Sequence, residues 1–194
     1  YGLCLGPRAE SRIQAPDIGI ILHQALERFA SAIAGLGYTW KDVPEDVRED
    51  VSKRCAEEAA KDFNHTVLLE TKRSQYQIKR LVRYVLRTTW AVKQQLSRGE
   101  FLPEAFELRF DSDALEGFRD IPIGADAMMR LKGTIDRLDV CETGDQLYVK
   151  IVDYKSGNKH FDLAALYYGL SLQLVVYLNM ARAMEEKAHP QKTV

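Results

Sequence analysis

Apolar residues recur at helical spacing through the first half of the chain. In "IGIILHQALERFASAIAGLG", Leu22, Ala25, Leu26, Phe29 and Ile33 fall on one side of a helix, with Asp17 as its N-cap and Gly35 and Gly37 as stop signals. A second, strongly charged helix is expected from Pro44 to about Asn64. A third is expected from about Val67 to Leu96, with Ile78, Leu81, Val82, Val85, Leu86 and Val92 on its apolar side. Beyond Gly99 the period shortens. "AFELRF", "RLKGTIDRLDVCE" and "QLYVKIVDYKS" are β-branched or partly alternating, are separated by turn residues, and read as strands. Helical spacing returns from an Asp162 cap through "LAALYYGLSLQLVVYLNMARAMEE", and His189 and Pro190 end it. Three helices, a run of strands and a final helix predict an α/β fold in α+β order, with an N-terminal helical part and a sheet drawn mainly from the second half.

Composition narrows the class. The chain has 194 residues, 46% apolar and 28% charged, which suits one globular domain with a sizeable core. No apolar run approaches a membrane span, so a cytoplasmic protein without a membrane partner is expected. The start at Tyr1 rather than Met reads as a piece of a longer protein. Cys4, Cys55 and Cys141 are far apart and form no C-x-x-C pair, so neither a disulfide framework nor a zinc knuckle is suggested.

The net charge of −1 hides a polarised distribution. From Thr71 to Gly99 there are eight basic residues and no acidic one, while Glu45 to Asp62 carries much of the compensating acid. Arg80, Arg83 and Arg87 lie along one helical face with Tyr76 and Tyr84 near it. Two readings fit: a solvated face paired with the acidic second helix, or a path for nucleic acid, with cations for phosphates and rings for bases.

The strands hold the sharper clue. If "ETGDQ" is a hairpin with a Gly144-Asp145 loop, opposed residue numbers sum to a constant. Val140 then faces Val149, Leu138 faces Ile151 and Asp136 faces Asp153, all on one side, while Asp139 faces Lys150 on the other. Two carboxylates at a Cβ separation of roughly 5 Å repel, so either one binds a proton or a cation lies between them. Mg²⁺ or Mn²⁺, which take oxygen ligands, are the natural candidates. Lys155 shares the strand parity of Asp153 and points to the same face. For either aspartate alone, a solvent-facing strand position is the competing explanation.

At these residues the sequence resembles the PD-(D/E)XK nucleases and, within them, the RecB-like branch. "GTIDRLD" and "IVDYKSG" resemble the strand motif and the D-x-K signature that follows it, "GIILHQALERF" the G-x-x-x-H helix, and "GLSLQLVVYL" the Q-x-x-x-Y helix. The motifs stand in family order from Gly19 to Tyr177, and the flanking "YGLCLGPR" looks most like AddB-type helicase/nuclease subunits. The resemblance implies a restriction-endonuclease-like core with a mixed sheet flanked by helices, in a single domain over residues 1–194. It implies a Mg²⁺- or Mn²⁺-dependent deoxyribonuclease, exonucleolytic in character, acting on single-stranded or duplex DNA ends in repair and recombination beside a helicase/nuclease partner subunit.

Residue by residue, the resemblance implies that His23, Asp136 and Asp153 ligate the metal, with the Tyr154 backbone carbonyl as a further ligand. Lys155 would hold the attacking water or the scissile phosphate, Gln173 and Tyr177 would line the site, and Glu107 occupies an acidic position on the preceding strand. Without the resemblance, His23 reads as a core-edge histidine before it reads as a ligand, and Tyr177 can simply be core. An iron-sulfur cluster is implied for the parent protein, with cysteines outside this segment, and Cys4, Cys55 and Cys141 are not assigned to it. The alternative function is a non-catalytic module that keeps the fold for DNA binding or helicase docking; an intact set of His23, Asp136, Asp153 and Lys155 favours the nuclease.

Overall fold

A computed structural model describes residues 15–63, 72–110, 120–123, 127–155, 162–168 and 172–194. The chain divides into two compact units, Tyr1–Val92 and Lys93–Val194.

The first unit is helical: α1 (Ala15–Gly35), α2 (Glu45–Asp62) and most of α3 (Lys72–Ser97), whose last turns belong to the second unit. Its core joins Ile21 and Ala25 of α1, Ala56, Ala59 and Ala60 of α2, and Leu81 and Val85 of α3. The small alanines explain how so charged a sequence as α2 packs at all: one narrow face lets neighbouring backbones approach while the charges other than Arg48 stay outside. Asp17 lies inside the first turn of α1 rather than at its cap. Pro16 fits a first helical turn without losing a hydrogen bond, so the helix starts earlier, and the Asp17 carboxylate still complements the helix dipole. The expected start of α3 at Val67 and end of α2 at Asn64 lie outside the described residues.

In α2, Arg48 is buried, and its guanidinium is shared among the Glu45 carboxylate at 2.6 Å, the Leu86 carbonyl at 2.9 Å and the Thr89 hydroxyl at 2.8 Å. Ser52 extends this polar seam to Thr89 at 2.9 Å. Three acids of α2 are engaged locally: Glu45 and Glu49 with Arg48, and Asp62 with Arg28 of α1.

The second unit carries the sheet. β1 (Leu102–Arg109), β4 (Thr134–Thr143) and β5 (Gln146–Val152) form a three-stranded antiparallel sheet in the order β1-β4-β5, and β2 (Asp120–Ile123) pairs with β3 (Ala127–Arg130) as a separate ribbon. This short ribbon was not foreseen, because Pro122 argues against an ordinary strand. The parallel direction is represented among the described residues by a bridge from Gln146 to Thr193. The β4–β5 hairpin has the expected register, with Val140 on Val149, Asp139 on Lys150 and Leu138 on Ile151. Its turn has φ +62° at Gly144, a conformation open to glycine at the first position of a mirror-image turn.

The expected final helix is two helices, α4 (Leu163–Tyr167) and α5 (Gln173–Ala188). Asp162 does cap α4, accepting from the amides of Ala164 at 2.8 Å and Ala165 at 3.2 Å. The core of this unit is Phe110, Ile135, Leu138, Met180 and Ala181, with α5 against the sheet. The sequence-derived fold class, mixed α/β with a helical first part, holds. Among the described residues no helix is long and apolar enough to cross a membrane.

Candidate active site

The second unit gathers its carboxylates where three strands end or bend. β4 runs with hydrophobic Ile135 and Leu138 buried, and Asp136 between them is only 7% exposed. The hairpin ladder stops at Arg137 and Val152, so Asp153 lies one step past β5 rather than in a regular pair with Asp136. The Asp136 carboxylate instead accepts the Tyr154 backbone N–H at 2.6 Å, which ties it to the residue after Asp153.

On its other flank Asp136 meets Glu107. The β1–β4 register shifts between Pro103 and Ala105, and the pairs Phe106 on Arg137 and Leu108 on Ile135 bracket Glu107 opposite Asp136. Carboxylate oxygens of the two lie within 4.8 Å of one another. Glu107 also has φ +49° inside a strand, the one described non-glycine residue in the left-handed region. Such a conformation costs on the order of 1–3 kcal/mol and persists where the surroundings enforce it, often at a ligand site. Two half-buried to buried carboxylates offering hard oxygen donors this close fit a divalent cation such as Mg²⁺ or Mn²⁺.

Four residues singled out in the sequence are joined by direct contacts. Lys155 places its ammonium 3.0 Å from the Asp153 carboxylate and 3.5 Å from the Gln173 amide oxygen. The Gln173 amide nitrogen donates to Asp153 at 3.3 Å and to the Tyr177 hydroxyl at 3.1 Å. Gln173 opens α5 and Tyr177 follows one turn later, so the helix presents both to the end of β5. Asp153 is largely buried while Lys155 keeps much of its side chain in solvent. That combination leaves a cation anchored on a carboxylate yet open to solvent.

The Tyr177 ring is fixed from behind. It packs edge-on against Phe110 with centroids 5.5 Å apart. A Cβ added to Gly133 would come within 2.4 Å of Phe110 and 3.0 Å of Tyr177, so the first residue of "GTIDRLD" is glycine for lack of room. This steric role was not read from the sequence, where Gly133 served only as part of a motif.

The opposite face of β4 holds a second surprise. Arg137 and Asp139 are both fully buried. The guanidinium faces the Asp139 carboxylate at 2.7 and 2.9 Å, and Lys150 reaches the same carboxylate at 2.8 Å. Arg137 also donates to the Tyr154 hydroxyl at 2.9 Å. Burial pushes the Tyr154 phenol up to about 12, against the lowering effect of Arg137, so the ring stays neutral. Arg137 went unnoticed because alternation says only that it points away from Asp136.

In the first unit, His23 is half-buried on α1. Arg80, Arg83 and Arg87 are exposed on α3, and Tyr76, Tyr84 and Trp90 expose much of their rings. Arg80 donates to the Tyr84 hydroxyl at 2.8 Å and stacks over that ring. Among the described residues none of these three arginines is ion-paired with α2, whose Glu45, Glu49 and Asp62 pair with Arg48 and Arg28. Cys55 and Cys141 are free, buried and in different units, and Cys4 lies outside the described residues. Burial pushes the Cys55 thiol up, and Glu58 adds to the shift.

The sequence profile of the PD-(D/E)XK nuclease superfamily matches residues 1–194. The chain belongs to this superfamily. As a PD-(D/E)XK nuclease-fold chain it is also similar, over its whole length and at 42% identity, to a subunit of the ATP-dependent helicase/deoxyribonuclease of Lachnoclostridium phytofermentans. Subunits of the same name from Alkaliphilus metalliredigens and Exiguobacterium sibiricum are 37% and 35% identical over 97% and 92% of the chain. In each case the chain spans about 16% of the relative's length.

Proposed function

We propose that this superfamily member is a divalent-metal-dependent deoxyribonuclease domain over residues 1–194, hydrolysing phosphodiester bonds. The observation that carries this reading is the connected array of Asp153, Lys155, Gln173 and Tyr177 adjoining the buried Asp136. Glu107, Asp136 and Asp153 are the carboxylates that would hold Mg²⁺ or Mn²⁺, with His23 and the Tyr154 carbonyl completing the set. A divalent ion bound there supplies Lewis-acid stabilisation of the charge that builds on the phosphoryl oxygens.

The protein's own groups account for the remaining requirements. Lys155, held by Asp153 and Gln173 yet solvent-accessible, can orient a water for in-line attack and stabilise developing negative charge. Gln173 keeps Asp153 and Tyr177 in one geometry, so that Asp153 does not swing toward solvent. Phosphodiester hydrolysis transfers no electrons: water adds at phosphorus, the ester oxygen leaves, and protons pass to solvent. The exposed arginines and rings of α3 support a DNA path, single strands included. A helicase partner is the setting suggested by the names of the relatives, and exonucleolytic action on DNA ends is part of the same proposal.

The test is cleavage of linear single- and double-stranded DNA with Mn²⁺ by the chain and by Asp153→Ala and Lys155→Ala. Loss of one electrostatic group aimed at the reacting phosphate costs on the order of 10²–10³-fold. Equal rates for all three proteins would remove the catalytic reading and leave a DNA-binding module. A His23→Ala variant with unchanged Mn²⁺ affinity would remove His23 from the ligand set.

A further inference from the structure

The buried Arg137–Asp139 pair has no part in the reaction as proposed, yet it sits one residue from Asp136 and touches the residue that hydrogen-bonds it. Tyr154 is the link. Its neighbours Asp153 and Lys155 bind each other and Gln173 on one side, while its ring turns to the opposite side, where Arg137 donates to the hydroxyl at 2.9 Å. The backbone N–H of the same tyrosine is 2.6 Å from the Asp136 carboxylate. One residue thus joins a fully buried charge cluster to a candidate metal ligand.

Stability alone does not explain that cluster. A dry ion pair is often no more stabilising than apolar residues of the same volume, because desolvation offsets the Coulombic gain. What an arginine provides and an apolar side chain does not is direction. Its guanidinium donates to Asp139 and to the tyrosine hydroxyl from different nitrogens, and Lys150 reaches the same carboxylate oxygen of Asp139. With Asp139 held by two cations, the guanidinium is held too, and with it the position of the phenol.

We propose that Arg137, anchored by Asp139, is a positioning residue: it holds the Tyr154 ring, and through it the Tyr154 backbone N–H on Asp136, in the orientation a divalent cation needs. This rests on the proposed metal site, and it extends that site to the other face of β4. Outer partners of metal ligands commonly contribute 10- to 100-fold in metal affinity.

The experiment is Mn²⁺ titration calorimetry of the 194-residue chain, with the half-saturating Mn²⁺ for DNA cleavage measured alongside. Tyr154→Phe removes the hydroxyl alone. Arg137→Met with Asp139→Leu removes both buried charges at similar volume, and Lys150, partly in solvent, is then free to hydrate. Circular dichroism and urea midpoints report whether each variant is folded. Both variants are expected to fold and to bind Mn²⁺ about 10-fold more weakly, with cleavage recovered at saturating metal. A structural role would lower the urea midpoint and leave Mn²⁺ affinity unchanged, and that result in either folded variant overturns the proposal. If the unaltered chain and Asp153→Ala show the same absence of Mn²⁺ binding, the metal site itself falls and the positioning role with it. Binding by the unaltered chain that both variants retain in full removes the positioning role only.

Discussion

Each unit of this protein buries an arginine, and the two are used differently. Arg48 in the helical unit reaches a carboxylate, Glu45, that remains half in solvent, a backbone carbonyl and a hydroxyl, and so fastens α2 to α3 at modest electrostatic cost. Arg137 in the sheet unit is paired with an aspartate that has no exposed surface at all. Only the second arginine contacts a residue bonded to a candidate ligand. A buried cation that keeps one partner wet is a fastener. A buried cation whose partner is dry demands fixed geometry, and geometry is what a metal site consumes.

The largest expected effect breaks this comparison at its deeper end. Arg137→Met strands Asp139 with Lys150 alone, and should destabilise the sheet unit by about 3–5 kcal/mol in urea unfolding, whereas adding Asp139→Leu should recover most of that loss. Arg48→Met leaves the Leu86 carbonyl and Thr89 hydroxyl short of a donor. It should cost about 1–3 kcal/mol without altering Mn²⁺ affinity. Equal effects of the two single changes on Mn²⁺ affinity would erase the distinction between the units.

Glycines sharpen the same contrast. Gly133→Ala forces a methyl against Phe110 and Tyr177, so it should cost about 1–3 kcal/mol and slow cleavage by disturbing the ring that Gln173 touches. Gly19, within α1, has open space where its Cβ would go. Gly19→Ala should therefore stabilise the helical unit by about 0.5–1 kcal/mol, read as a higher urea midpoint.

The smallest effect on stability is expected from the outer face of α3. Replacing Arg83 and Arg87 with alanine should change the urea midpoint by no more than about 0.5 kcal/mol, since neither is buried. The same changes should weaken single-strand DNA binding and lower its salt dependence, by nearly one unit of slope for each phosphate no longer neutralised. A fluorescence-anisotropy titration at several salt concentrations measures both. An unchanged slope would return α3 to the status of a solvated face.

Much of this was legible in the chain. The period of apolar residues located α1 and α3, with a charged α2 expected between them, and the Gly144-Asp145 turn with the Asp139–Lys150 pair set the hairpin register. The motif residues Asp153, Lys155, Gln173 and Tyr177 do meet. Glu107 was harder to place. Had the pairing of Leu102 with Val140 continued unshifted, Glu107 would face Ile135; the irregularity between Pro103 and Ala105 moves it opposite Asp136. A one-residue shift reverses which side chains share a face, and no local pattern announces it.

The sequence by itself determined which residues are candidates for the site and which strands bear them, because periodicity, turn chemistry and motif spacing are properties of short stretches. Tertiary structure decided the rest. Whether Arg137 and Asp139 are dry depends on Tyr154 and on Gln95 from the end of α3, which lies far from β4 in sequence. Alternation tells which way a strand residue points, but only packing tells what covers it. That covering sets the desolvation of the charged face of β4, which no pattern of alternation records.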